Sequence, residues 1–462
     1  MLASLMSDLT NILKQVFLDV LREIEPASVI ARSVSIDQDR LIVGDKQMTL
    51  DGHSDVVVIG MGKASLKMGA SIERILGERF RRGILVTDRG APIEVRSDVI
   101  VAGHPLPDSN SMIAGQRITD LIETCADDAL IIFLISGGGS SLVELPIDRG
   151  ISLEDFKLTN KVLTTCGASI HEINVVRKHL SRTKAGGLGY LVRAATCVAL
   201  YFSDVNPGDL RAIASNPLLP ETLPEEELRE IIDRFDLLSR LPASVSSAIG
   251  DSEASTRPRW NWENNEPVIK LLLDNADVIR VASRIARRGG LRVEVDDGPA
   301  EEDYREVAQR SVERLLKLKD MFPGERVCVI TGGEVLCAVH GAGVGGRNQE
   351  FVLYSAALLA GKGLRENAAV LSAGTDGIDG NSKAAGAVAD AESIAIAASV
   401  GADSAAFIQT NDSHSFLKQT GGLLVTGPTG NNVRDLRMLI AEGIDAIAVS
   451  ENTGAISENK GG

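Results

Sequence analysis

The chain has 462 residues, of which 44% are hydrophobic, 24% charged and 3% aromatic. Single cores stop growing at roughly 250–300 residues, so this length calls for two domains. The formal net charge is −15, from 48 Lys and Arg against 63 Asp and Glu, which excludes the basic surplus of a nucleic-acid binder.

In chain order, MLASLMSDLTNILKQVFLDVLREI reads as an amphipathic helix with acidic residues interspersed, unlike a signal peptide. DVVVIGMGKAS (55–65) is a Val/Ile strand emptying into a glycine loop, with a helix following to about residue 78. GILVTD (83–88) and VIVAGHPLPDSNS (99–111) give two more strands, the second ending in a Pro-rich loop. AGQRITDLIETCA (114–126) is helical, and ALIIFLISGGGSSL is a buried strand with a second glycine loop. ALIIFLI falls far short of the roughly 20 apolar residues that span a bilayer, so no membrane association is expected. Strands alternating with helices, apolar on both faces, describe a parallel sheet covered by helices.

A helical stretch from residue 151 precedes the strand CVALYFSDV (197–205). The segment 242–267, rich in Ser, Pro, Asn and charge, reads as an exposed connection at a domain boundary. A second α/β block offers strands at 326–334, 335–341, 368–377 and 423–430, and the last 12 residues look frayed. Cys125, Cys166, Cys197, Cys328 and Cys337 form no CxxC or Cys/His cluster, so free thiols in a reducing cytoplasm are expected.

The 45 glycines cluster after the apolar runs, where ligands of such sheets gather. GMGKAS meets neither GxGxxG nor the P-loop pattern, yet places Lys63 beside Gly60 and Gly62 on a strand-to-helix turn suited to an anion. SGGGSS puts Gly137, Gly138 and Gly139 before Ser140 and Ser141, so backbone N–H groups can wrap an anion closely. In the second block Glu334 ends ITGGE, while GAGVGGRNQE carries Arg347, Asn348 and Glu350 into a helix. The arginine fork suits phosphate or carboxylate. AGTDGIDG adds Asp376 and Asp379. With Asp204 these carboxylates form a candidate set for Mg²⁺, which needs only one or two alongside substrate phosphates. Among the histidines, only His104, in a Gly-His-Pro loop, is placed to face such a site, and no GxSxG elbow is present.

Taken in order, VIGMGKAS, GHPLPDSNS, LISGGGSSL, INVVRKHLSRTKAGGL, FSDVNPGD, TGGE, GGRNQEF, GTDGIDG and NDSHSF…TGPTGNNVRDL resemble the class II glycerate kinases, the MOFRL family, from about residue 5 to about residue 450. The resemblance implies a larger N-terminal Rossmann-like α/β domain (1–250), a smaller C-terminal α/β domain (251–462), and an active site in the cleft between them. It implies transfer of the γ-phosphate of ATP, with Mg²⁺, to a hydroxyl of D-glycerate, giving 2-phosphoglycerate. By the same resemblance Lys63 and Arg347 clamp phosphate or carboxylate, and Asp204 or Asp376 orients the attacking hydroxyl or holds Mg²⁺. Glu334 and Asp379 complete the metal set, and the glycines, Ser140, Ser141, Asn348 and Glu350 hold nucleotide. The implied partners are ATP and a small hydroxy acid, with the oligomeric state left open, a homodimer included.

The chain departs from the family pattern at Pro207, at Asn216 in place of Gly, at Leu218 in place of Thr, and at 381–383. The expectation is that His104 and Asn216 border the acceptor, so that these changes reshape its pocket. An NAD(P)H-dependent hydroxypyruvate reductase and a ligand-binding relative without catalysis stay open as alternatives. The missing GxGxxG and following acidic residue count against the first.

Overall fold

The structure, a computed structural model, describes residues 7–192, 195–205, 208–250, 267–298, 301–364, 367–399 and 401–443. The chain divides into two compact units, one of residues 26–273 and one of residues 1–25 with 274–462. The first unit runs past residue 250 because the strand Val268–Leu273 pairs into its sheet, and the first helix belongs with the C-terminal half. That helix, Asp8–Glu23, is capped by Ser7 and buries Leu9, Leu13, Val16, Phe17 and Val20, an apolar stripe at helical spacing. The stripe packs on strands and a helix formed by residues beyond 274.

The unit 26–273 begins with a three-stranded antiparallel sheet of β1 (Val34–Asp37), β2 (Arg40–Val43) and β3 (Lys46–Thr49). Its main sheet comprises β4 (Val56–Met61), β5 (Arg82–Thr87), β6 (Asp98–Val101), β7 (Leu130–Ile135), β8 (Thr196–Phe202) and β9 (Val268–Leu273). All pairings are parallel, in the order β6-β5-β4-β7-β8-β9. That is the doubly wound order of a Rossmann sheet, and its order reverses between β4 and β7. Both central strands are buried along their whole length, as expected for a sheet covered on both faces.

The other unit holds β10 (Arg292–Val295), β11 (Arg326–Gly333), β12 (Ala368–Gly374), β13 (Gly386–Asp390), β14 (Leu423–Leu424) and β15 (Asp435–Glu442). They form one mixed sheet, β10-β11-β15-β12-β13-β14, in which only β10 and β11 run parallel. β15 lies between β11 and β12, and its first residue, Asp435, stands opposite both Gly333 and Gly374. Three strand-like or glycine-rich segments therefore end together around one residue.

Several sequence expectations are corrected. Residues 335–341 read as an apolar strand but make only an isolated bridge, Leu336 to Asp303, and leave Leu336 and Val339 exposed. Of 423–430 only Leu423 and Leu424 pair. Within 242–267, Ala243–Gly250 is a helix, and residues 251–266, both tryptophans included, lie outside the described residues, as do the last 12. Among the described residues no helix is long and apolar enough to cross a membrane.

Candidate active site

The reversal point between β4 and β7 brings the two N-terminal glycine loops into contact. The Lys63 N–H donates to the Gly137 carbonyl at 2.9 Å, the Ala64 N–H to the Ser136 hydroxyl at 3.0 Å, and the Ser136 N–H to the Met61 carbonyl at 3.0 Å. Gly62 has φ +120, and a methyl group there would sit 2.2 Å from the Ser136 Oγ and 2.4 Å from its carbonyl oxygen. Only glycine permits that approach. A methyl group on Gly137 would lie 2.0 Å from the Asp204 carboxylate, and one on Gly138 would meet His104 at 3.1 Å and Lys63 at 3.4 Å. Lys63, His104 and Asp204, distant in sequence, thus gather around two bare backbone positions at the mouth of the sheet. Behind them Ser140 and Ser215 share a hydrogen bond of 2.7 Å.

The second constellation is built on Arg347, the first residue of the helix Arg347–Gly361. Its Nε and one Nη donate to the two carboxylate oxygens of Asp435 at 2.6 and 3.0 Å. The same Nη lies 2.9 Å from Glu334. Burial works against the Arg347 charge, but Asp435, then Glu334 and Asp379, outweigh it and hold the guanidinium above its usual pKa. Asp376 is half-buried, and its carboxylate lies 3.1 Å from the Cβ position of Gly374, with that of Asp435 at 3.4 Å. A cavity of about 460 Å³ opens over this region, with Arg347, Glu334, Glu350 and Arg434 among its walls and Val335, Leu336 and Val339 on its apolar side. Arg347 and Arg434, with Glu334, Glu350 and Glu301, thus face an apolar wall.

Residues 12–250 match a family described as a domain of unknown function (DUF4147), and residues 327–435 match the MOFRL family. The D-glycerate 2-kinase of Thermotoga maritima is 35% identical over 386 residues, covering 82% of this chain and 89% of that protein. The chain belongs to the glycerate kinase family. A crystal structure of the Thermotoga maritima glycerate kinase superposes with a TM-score of 0.80 at 32% identity, covering 94% of this chain and 99% of that one. A protein of Agrobacterium vitis named a putative hydroxypyruvate reductase is 33% identical over 83% of this chain and 98% of its own length.

In this glycerate kinase family member several of the anticipated site residues make contacts within their own fold. Asp379 is buried and accepts from the backbone and side-chain nitrogens of both Asn348 and Gln349 at 2.9–3.2 Å. Its two oxygens are engaged in holding the start of the Arg347 helix. Burial pushes its pKa up, and the amide donors oppose that. The Asn348 side chain bonds Asp379 and Ser372. Gly60 is bare because Leu85 packs 2.6 Å from its Cβ position, and Ser141 turns its hydroxyl back to the Gly138 carbonyl. Glu350 is almost wholly buried, and burial raises its carboxyl to about 7, with the neighbouring Ser413 and the Tyr304 hydroxyl, 3.5 Å away, opposing the shift.

Asn216 and Leu218, expected near the acceptor, are both buried. Asn216 is fully buried with φ +57, and its amide bonds Leu219 and Glu221. Leu218 sits in the core of the Rossmann-like unit, and Pro207 lies outside the described residues. A left-handed position explains why the family pattern has Gly there and why Asn replaces it without protest. Ala214 and Ser215 share that left-handed geometry, a strain of about 1–3 kcal/mol each held beside the Ser140 loop. Sequence reading missed Ser215, Asp435, Arg434 and Arg437. It also missed the fully buried pair Lys184 and Glu144, whose contact Ser181 joins. Only the RTKAGG and NNVRDL stretches hinted at any of them.

Proposed function

We propose that the chain phosphorylates D-glycerate at the expense of ATP, giving 2-phosphoglycerate. The observation that carries the reading is the locking of the Lys63 loop to the Gly137 loop at the strand-order reversal, with Asp204 and His104 drawn to the same place. Phosphoryl transfer asks a protein mainly for positioning and for neutralisation of charge on the transferred group. Lys63 supplies a cation beside backbone free of side chains, and Arg347 a fork held in one orientation. The acceptor hydroxyl forms the new O–P bond as the bond between the γ-phosphorus and the β,γ-bridging oxygen breaks. Its proton passes to a carboxylate, for which Asp204, half-buried beside Gly137, is the better placed of the two candidate aspartates.

Mg²⁺ fits this donor set as a shared ion rather than a caged one. Among the described residues no group of three or more His, Cys, Asp or Glu side chains is arranged to hold a metal. Magnesium in phosphoryl-transfer sites needs only one or two carboxylates besides phosphate oxygens. Asp204, Asp376 and Glu334 keep half-exposed carboxylates that fit this role, whereas Asp379 does not. The ion would supply charge neutralisation on the phosphates. The five free cysteines accord with a cytoplasmic setting.

The test is ADP release measured over a panel of small hydroxy acids, with and without Mg²⁺, and NADH oxidation measured with hydroxypyruvate. Turnover of D-glycerate that needs both ATP and Mg²⁺ is expected. Absence of ADP release on every acid, or rapid NADH oxidation without ATP, would overturn the kinase reading.

A further inference from the structure

Asp435 is the first residue of β15, the strand between β11 and β12, and it is completely buried. A lone carboxylate in such a place would cost several kcal/mol. Two arginines meet it. Arg347 spans both oxygens in the parallel geometry that fixes a guanidinium plane, and Arg437 stands 4.0 Å away. Arg437 is itself fully buried and donates to the carbonyls of Gly332 and Gly333, so it ties Asp435 to the end of β11. Burial, with Arg347 and Arg434 nearby, lowers Arg437 to about 10 although Asp435 opposes the shift. The carboxylate therefore has a rigid side, Arg437 within the sheet, and a working side, Arg347 at the cavity wall. Glu334, the other partner of Arg347, is 36% exposed and on a loop, whereas Asp435 is 1% exposed on the middle strand.

We propose that Asp435 is a positioning residue for phosphoryl transfer: it holds the Arg347 fork in one plane so that the remaining N–H groups meet the transferred phosphate. The proposal rests on Arg347 serving the reaction, as set out above. Asp435 has no need to touch substrate. An arginine on a flexible stem loses rotamer freedom when it engages a ligand, and a fork already held in place loses less. Because the alignment matters most where charge develops, its removal should appear in kcat rather than in KM.

The experiment is a double-mutant cycle on the full chain: parent, Asp435→Asn, Arg347→Ala, and both together, each with kcat, both KM values and a thermal melt. Asp435→Asn should lower kcat by about thirtyfold or more and leave both KM values within about threefold. In the Arg347→Ala background the same change should lower kcat by less than about threefold, because the fork it aligns is gone. A merely structural aspartate would lower kcat equally in both backgrounds, and that result would overturn the proposal. So would a parent-like kcat for Asp435→Asn. Parent-like activity of Arg347→Ala would instead overturn the role given to Arg347, which separates the two failures. Should Asp435→Asn not fold, Asp435→Glu serves in the same cycle. It keeps the charge and moves the carboxylate by one methylene, and the same inequality decides.

Discussion

Gly137 and Asp204 are so close that no side chain fits between them: a Cβ on Gly137 would lie 2.0 Å from the Asp204 Oδ2. The obstacle is the Asp204 side chain, its carboxylate carbon at 2.4 Å and its Cβ at 2.9 Å, so Gly137→Ala should fold and turn that side chain aside. We predict a stability loss below about 1 kcal/mol and a fall in kcat/KM of at least about tenfold. Gly62→Ala gives the contrast. Its methyl group would meet the Ser136 backbone at 2.4 Å, at a φ of +120. That variant should lose about 2 kcal/mol or more of stability along with activity. Denaturant titration and steady-state kinetics on both variants check the pair.

Lys63→Ala and Arg347→Ala should each lower kcat/KM by at least about a hundredfold, or about 2.7 kcal/mol of transition-state stabilisation. They should differ in stability. Removal of Arg347 strips the buried Asp435 of its two-pronged partner and leaves only Arg437 at 4.0 Å, so a cost of about 1–3 kcal/mol is expected. Lys63 stands on a half-buried loop position, and its truncation should shift the melt little. Equal kinetics to the parent in either variant would remove that residue from the site.

Most of the strands that sequence reading found share one property, with β6, largely exposed at the sheet edge, as the exception. β4, β5, β7, β8, β11 and β12 are short apolar runs buried nearly end to end, so hydropathy alone reports them. β15 escaped because DLRMLIAE opens with an aspartate and an arginine that pattern reading assigns to solvent. Their charges are balanced by Arg347 and by the Gly332 and Gly333 carbonyls, neighbours about 90–105 residues away that no local pattern can show. The opposite error, at 335–341, came from an apolar run that has no partner strand. The two glycine loops that meet beside Lys63 and Asp204 were legible as loops after buried strands, and so was Arg347 at a helix start. It was not legible that Asp379 and Asn348 face inward to hold a helix, because an acidic loop residue reads alike whether it caps a helix or binds a cation.

Glu350 gives a pH dependence with a definite sign. Its folded carboxyl titrates near 7, above the ordinary value of 4.5. A raised carboxylate pKa means the folded state holds the proton more tightly, so the contribution to stability is full below about pH 4.5 and is lost as pH rises toward 7. The size is on the order of 3 kcal/mol. Glu350→Gln cannot titrate, so its stability should change less between about pH 5 and pH 8 than the parent's. Denaturant midpoints at matched ionic strength measure the difference. Parallel curves for the two proteins would remove Glu350 from the account.

Asn216 decides whether the departures from the family pattern concern the acceptor at all. Its side chain is fully buried and bonds the Leu219 carbonyl at 2.9 Å, the Glu221 carboxylate at 2.7 Å and the Leu219 N–H at 2.9 Å. Glu221 in turn holds Lys178, so the amide is one link in a chain that closes the 216–221 turn. Asn216→Gly keeps the left-handed backbone but loses these bonds, and about 1–2 kcal/mol of stability should go with them. Asn216→Ala loses the same bonds and adds a Cβ that resists φ +57, so it should cost roughly 1 kcal/mol more. Both variants should keep the parent's ratio of KM values for ATP and hydroxy acid, because the amide faces its own turn. A selective change in the hydroxy-acid KM of Asn216→Gly, at unchanged stability, would return Asn216 to the acceptor pocket.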